Sequence, residues 1–183
     1  WNMDFIQGDI LDKNLISRYF KDADIIHHLA GITNVAYVKS DKNPKRDEEI
    51  INVAIKGTKN IINLSPAEVK IIFPSTHVVF DGWKKSKKLI PENYKKTPLL
   101  HYSSSKSKNE DDLIQSNKNF IVLRLGSVYG YTNDSTRIKI VPNLFSKMAA
   151  ENKTIKLFGG GIQLKSLVSI IDVARCFKFM EEK

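Results

Sequence analysis

At 183 residues, 42% of them hydrophobic and 27% charged, the chain is long enough for one ordinary domain with a real core and too apolar to be disordered. No stretch approaches the ~20 apolar residues of a membrane span. The start "WNMDFIQGDI" has neither part of a signal peptide, and the lone Cys176 excludes an internal disulfide and fits a reducing cytoplasm. The formal net charge of +9 invites a nucleic-acid reading, but the excess is nearly all lysine, spread along the chain. The densest basic run, "KKSKK" (84–88), has no interleaved aromatics and reads as loop. Diffuse charge of this kind supports only weak, salt-sensitive association, so the expectation is no nucleic-acid partner and a general attraction for anionic small molecules.

In chain order, "MDFIQG" (3–8) reads as a strand ending at a glycine, and "DKNLISRYF" (12–20) as a helix with Leu15, Ile16 and Phe20 on one face. "ADIIHHLAG" (23–31) is a nearly continuous apolar strand, as expected when both faces are covered. Residues 45–64 have the spacing of one long helix. "VKIIFPST" (69–76) is the next strand and ends in hydroxyls, and residues 81–100 form a surface excursion. A helix follows over 103–116, then the strand "FIVLRLGSVYG" (120–130) and a polar loop over 131–140. "VPNLFSKMAAEN" (141–152) is a helix with Pro142 in its first turn. Residues 154–170 read as two short strands around the turn "GGG" (159–161), and "DVARCFKFMEE" (172–182) as a last helix capped by Asp172, with Cys176 a buried core thiol. Short apolar runs alternating with amphipathic stretches predict an α/β fold with a parallel sheet.

Ligands in such sheets bind at the carboxyl ends of the strands. The polar residues expected there are Asp9, the "LAG" turn (29–31), Ser75, Thr76 and Ser127. Tyr102 and Lys106, four residues apart on a helix, share one face. An ammonium beside a phenol favours the phenolate, and a hydroxyl from Thr76 or Ser75 can bond the same substrate oxygen. That set suits proton transfer to or from an alcohol as a hydride leaves or arrives. Taken alone the Y-x-x-x-K spacing is weak, because a tyrosine beside a solvated lysine arises often by chance.

The order "GDILD", "IIHHLAG", "FPSTHVVFDG", "HYSSSKSKNE", "VLRLGSVYG", "FGGGIQLKSLVSIIDVA" resembles the extended short-chain dehydrogenase/reductases, and within them the NAD-dependent nucleotide-sugar epimerase/dehydratase family. The resemblance runs from about Phe5 to Ala174. It implies a Rossmann-type doubly wound parallel sheet over residues 1–130 and a small substrate lobe, with a returning strand and helix, over 131–183. It implies that Asp9 and Ile10 contact the adenine and that Leu29, Ala30 and Gly31 line the ribose and pyrophosphate. Thr76, with Ser75 beside it, matches the catalytic hydroxyl residue, Tyr102 the general acid/base, and Lys106 the lysine that holds the nicotinamide ribose. His77, Ser127 and Lys165 fall on the substrate side. The resemblance further implies NAD as cofactor, a nucleotide-sugar substrate and a homodimer, while no Cys/His/Asp cluster has metal-ligand spacing, so no metal is expected.

The sequence also departs from the family pattern. No G-x-G-x-x-G occurs, and the strand that chooses NAD over NADP is not found, so NADP stays open. Ser127 replaces a frequent asparagine, and Lys165 replaces an arginine, keeping the charge without the bidentate fork. The expectation is an internal piece of a longer enzyme, first βαβ unit missing, or a degenerate relative, either one binding dinucleotide poorly by itself. Two other functions remain beside the epimerase/dehydratase. One is an NADPH-dependent reductase of a 4-keto sugar nucleotide, as "VFDG" resembles the dTDP-4-dehydrorhamnose reductase branch, and the other is a non-catalytic dinucleotide sensor or scaffold. His27 and His28, adjacent in a strand, point to opposite faces and form no metal pair, and the resemblance puts His28 at a core position, which implies a structural role. His101 is expected to be exposed.

Overall fold

The computed structural model describes residues 3–33, 44–84, 89–131 and 140–183. Of the basic run only Lys84 is among them, and the loop over 131–140 lies almost wholly outside them.

Helix α1 (Lys13–Phe20) starts where Asp12 accepts hydrogen bonds from the amides of Asn14 and Leu15, satisfying donors that the first turn leaves open. Strand β1 (Ile25–His27) follows, then α2 (Pro44–Ile51), a π-helical turn over Asn52–Lys56, and α3 (Gly57–Leu64), which together form one helical run. Strand β2 (Lys70–Thr76) pairs in parallel with β1, Ile26 opposite Ile71 and His27 opposite Ile72. A 3-10 turn (His77–Phe80) leads away from β2, and α4 (His101–Ile114) precedes β3 (Asn119–Leu125). The sheet order is β1-β2-β3. Ile71, Ile72 and Phe73 are all buried, the mark of a central strand covered on both faces. The core gathers Ile26, Ile61, Ile62, Val69, Ile71, Phe73 and Leu113.

This sheet belongs to a compact unit made of Trp1–Trp83 and Glu92–Arg124. A second unit comprises Lys84–Pro91 and Leu125–Lys183. It holds β4 (Ser127–Tyr129) paired in parallel with β5 (Leu167–Ser169), together with α5 (Val141–Ala150) and α6 (Ile170–Glu181). The division at Leu125 falls a few residues before the boundary expected at 131, and assigning the units to cofactor and substrate remains a proposal.

The structure corrects several expected elements. Residues 3–8 form no strand: β1 has β2 as its ladder partner, and Phe5 stays 92% exposed. The second predicted strand shortens to three residues because the Leu29 amide turns back onto the His27 carbonyl (2.9 Å). The long helix over 45–64 exists but carries the π turn. The fourth helix begins at His101, so Tyr102 lies inside its first turn. The strand expected over 120–130 breaks at Gly126, where the chain leaves β3 and pairs instead as β4. The glycine hairpin is not found, since β5 joins β4 in parallel, and the three glycines at 159–161 take left-handed φ values of 57°, 73° and 70°. Ser169, not Asp172, caps α6 by accepting from the Ile171 amide, which starts the helix two residues early. Cys176 is half-buried, because α6 sinks only Val173 fully.

Candidate functional site

The carboxyl ends of β1 and β2 lie side by side because the two strands are parallel neighbours. From β1 emerges the exposed turn Leu29–Gly31, where a Cβ added to Gly31 would meet nothing within 4 Å, so its backbone is open to a ligand. From β2 emerge Pro74, Ser75 and Thr76, the last two buried. Thr76 caps the 3-10 turn, its hydroxyl accepting from the Val78 amide at 3.3 Å. His77, half-buried, opens that turn.

Helix α4 brings Lys106 to this edge and carries Tyr102 one turn earlier. Tyr102 is half-buried. Lys106 is buried, its ammonium donating to the Pro74 carbonyl (2.7 Å) and lying 4.3 Å from the centre of the Phe73 ring. Burial lowers the Lys106 pKa from 10.5 to about 8, and the negative charge of Glu110 opposes that fall.

The first turn of α4 is fastened from outside the helix. The Asp81 carboxylate accepts from the Leu99 amide (2.6 Å) and the Ser103 hydroxyl (2.7 Å). The Thr97 amide donates to the Val79 carbonyl (2.9 Å), and the Gly82 amide to the Thr97 carbonyl (2.8 Å). These hydrogen bonds tie the turn after Thr76 to the turn before Tyr102.

Deeper in, Ser75 donates its hydroxyl to Glu110, which Arg124 grips through Nη2 (2.8 Å) and Nε (3.1 Å). Burial pushes the Glu110 pKa up, yet the Arg124 and Ser75 hydrogen bonds and the charges of Arg124 and Lys96 outweigh it and hold the carboxyl below its usual range. The sequence reading did not single out Glu110, Asp81 or Arg124. The signal for Glu110 was available: it continues the four-residue spacing of Tyr102 and Lys106.

The other expected residues divide. Asp9 is exposed and its carboxylate accepts from the Leu11 amide (2.8 Å). Ile10 packs against the core, and its carbonyl accepts from the Asn60 side chain (3.1 Å). Ser127 and Lys165 lie in the second compact unit; Ser127 is half-buried, with its amide donating to the Ser166 carbonyl (2.7 Å), and Lys165 is exposed. His28 is buried and bonded to Thr58, a structural histidine as expected, and His101 is exposed with Asp47 3.6 Å away. Among the described residues no three His, Cys, Asp or Glu side chains form a metal-binding group, and no helix is long and apolar enough to cross a membrane.

The sequence model described as "NAD dependent epimerase/dehydratase family" matches residues 2–183. The chain is 30% identical over 179 residues to a Methanocaldococcus jannaschii protein named "Putative UDP-glucose 4-epimerase", covering 94% of this chain and 57% of that protein. It is 28% identical over 159 residues to the Haloferax volcanii "Probable low-salt glycan biosynthesis reductase Agl14", covering 83% of this chain and 49% of the relative. The crystal structure of a UDP-glucuronic acid 4-epimerase from Bacillus cereus, with UDP-glucuronic acid and NAD, superimposes with a TM-score of 0.77 at 24% identity, over 98% of this chain and 56% of that one. The chain thus spans about half the length of the curated relatives it matches.

Proposed function

The chain belongs to the NAD dependent epimerase/dehydratase family, and on that premise we propose that it acts on a nucleotide-linked sugar with NAD, using Tyr102, Lys106 and Thr76. The observation that carries this reading is the buried Lys106 ammonium held on the Pro74 carbonyl, two residues before Thr76, on the helix that also presents Tyr102.

The residues at the strand edge fit the cofactor. The open backbone of Leu29–Gly31 and the Lys106 ammonium would hold its ribose and phosphate groups, with Asp9 and Ile10 toward the adenine. When bound, NAD would supply a hydride acceptor for the hydrogen on the sugar carbon. Tyr102 takes the proton from the sugar hydroxyl and gives one back to the same oxygen. The positive charge of Lys106 favours the phenolate that this needs. Thr76 donates a hydrogen bond to the sugar oxygen and so favours the carbonyl that forms there. His77, Ser127 and Lys165 would contact the substrate. Ser75 is engaged by Glu110, which leaves Thr76 as the hydroxyl for the sugar.

Tyr102→Phe in the full-length enzyme tests the reading. Turnover should fall by at least ~100-fold, the usual contribution of a positioned acid/base. Undiminished turnover would remove Tyr102 from the chemistry and overturn the proposed mechanism. A net reductase of a keto sugar is the second reading, favoured by the Haloferax relative. Purified full-length protein that retains NAD supports the epimerase or dehydratase, whereas stoichiometric consumption of NADPH supports the reductase. We further propose a cytoplasmic homodimer, which light scattering on the full-length protein checks for its oligomeric state.

A further inference from the structure

Glu110 is the one fully buried carboxylate among the described residues. It stands four residues beyond Lys106 and eight beyond Tyr102, so all three share the face of α4 turned to the sheet. Its Oε1 accepts from Ser75 and from Arg124 Nε (3.1 Å). Its Oε2 accepts from Arg124 Nη2 (2.8 Å) and Nε (3.3 Å) and lies 3.3 Å from Lys96 Nζ. Arg124 continues to the Glu92 carbonyl (2.5 Å), and Lys96 to Asp111 (2.6 Å) and the Ser107 carbonyl (3.0 Å).

Two of these contacts set register. Lys106 bonds the carbonyl of Pro74 and Glu110 bonds the hydroxyl of Ser75, so successive residues of β2 meet successive turns of α4 just before Thr76. An ion cluster that served stability alone would have no need of a hydroxyl adjacent to Thr76.

We propose that Glu110 is a positioning residue for the reaction, fixing α4 against the end of β2 so that Tyr102 and Thr76 converge on one substrate oxygen. It also keeps Lys106 charged. The charged and titratable groups that act on Lys106 are His28 just after β1, Glu110 one turn on along its own helix and, through Glu110, Arg124 of β3 and Lys96, with Tyr102 one turn before it on the same helix. Of these Glu110 supplies the negative charge that opposes loss of the proton. The proposal rests on the catalytic reading of Tyr102 and Lys106 given above.

Two variants separate charge from register. Glu110→Gln keeps an oxygen for Ser75 and removes the charge. In the 183-residue chain labelled with 13C-lysine, the Lys106 resonance, assigned by its loss in Lys106→Arg, should titrate at about 8. In Glu110→Gln its midpoint should drop by on the order of one pH unit. An unchanged midpoint in a folded variant overturns the charge role. Ser75→Ala keeps the charge and removes the bond. With NAD and UDP-glucose as probes, the full-length variant should lose roughly tenfold in kcat at unchanged KM. A lowered melting temperature with unchanged kcat overturns positioning. Tyr102→Phe serves as the control: if it turns over normally the catalytic reading fails, and the Lys106 titration still decides the charge role.

Discussion

Thr58 has one hydroxyl proton, and it goes to the Ala54 carbonyl (2.6 Å). The 2.8 Å contact between Thr58 Oγ1 and His28 Nε2 can then be made only with Nε2 as the donor, which fixes the neutral tautomer of His28 and leaves Nδ1 as a bare acceptor. The Asn109 side chain donates to the same Ala54 carbonyl (3.0 Å), which lies within the π turn. One buried carbonyl therefore joins β1, the helical run and α4 through three side chains far apart in sequence. Thr58→Val keeps the shape and removes both roles of the hydroxyl, leaving the His28 N–H buried without an acceptor. The variant should lose about 2 kcal/mol, the cost of an orphaned buried donor, read as a lower urea midpoint at unchanged slope. An unchanged midpoint would mean that the hydroxyl carries no net stability. The structural role of His28 was implied by the family resemblance, but its partner, thirty residues on, was not legible.

Helix α4 shows why the candidate site was only half legible. Its inward face is polar: Ser103, Ser105, Lys106, Ser107, Asn109 and Glu110 are buried beside the single large apolar Leu113. A reading by hydrophobic periodicity sees a surface helix here, and only the four-residue spacing of Tyr102 and Lys106 pointed inward. Each long polar group on that face has a partner from another element: Lys106 has the Pro74 carbonyl, Asn109 the Ala54 carbonyl and Glu110 Ser75 with Arg124. Such pairing depends on distant residues and leaves no periodic trace. Strand β2, by contrast, was legible because a buried parallel strand is a plain apolar run. The clasp ahead of α4 makes a prediction at this scale. A Cβ on Gly82 would come within 2.5 Å of the Thr97 carbonyl oxygen, a backbone atom with little room to give. Gly82→Ala should displace the segment leading into Leu99 and Tyr102 and cost roughly 1–3 kcal/mol by overpacking. Amide exchange in the first turn of α4 should rise with it. Wild-type protection there, at an unchanged melting temperature, would show that the clasp yields without affecting the helix.

The buried network gives the whole molecule a pH dependence whose sign can be worked out. Burial first, then the positive charge of Lys106, lowers the His28 pKa from 6.5 to about 3. The folded chain therefore resists a proton that the unfolded chain accepts, and this share of stability is present above pH 6.5 and lost as pH falls toward 3. At pH 5 the loss from this one group is about 2 kcal/mol, at ~1.4 kcal/mol per pH unit. Below about 4.5 Glu110 adds to it with the same sign, because its depressed pKa makes protonation a cost to the fold. Lys106 acts at the other end: its pKa of about 8, lowered from 10.5, penalises the fold below 8 and releases that penalty as pH rises toward 10.5. Urea unfolding at pH 7 and pH 5 should show the acid loss. His28→Gln can keep an N–H toward Thr58 without titrating, so it should start less stable at pH 7 and lose far less between the two pH values. If wild type and His28→Gln fall in parallel, the acid sensitivity lies elsewhere, and His28 does not tie the folding of this unit to pH.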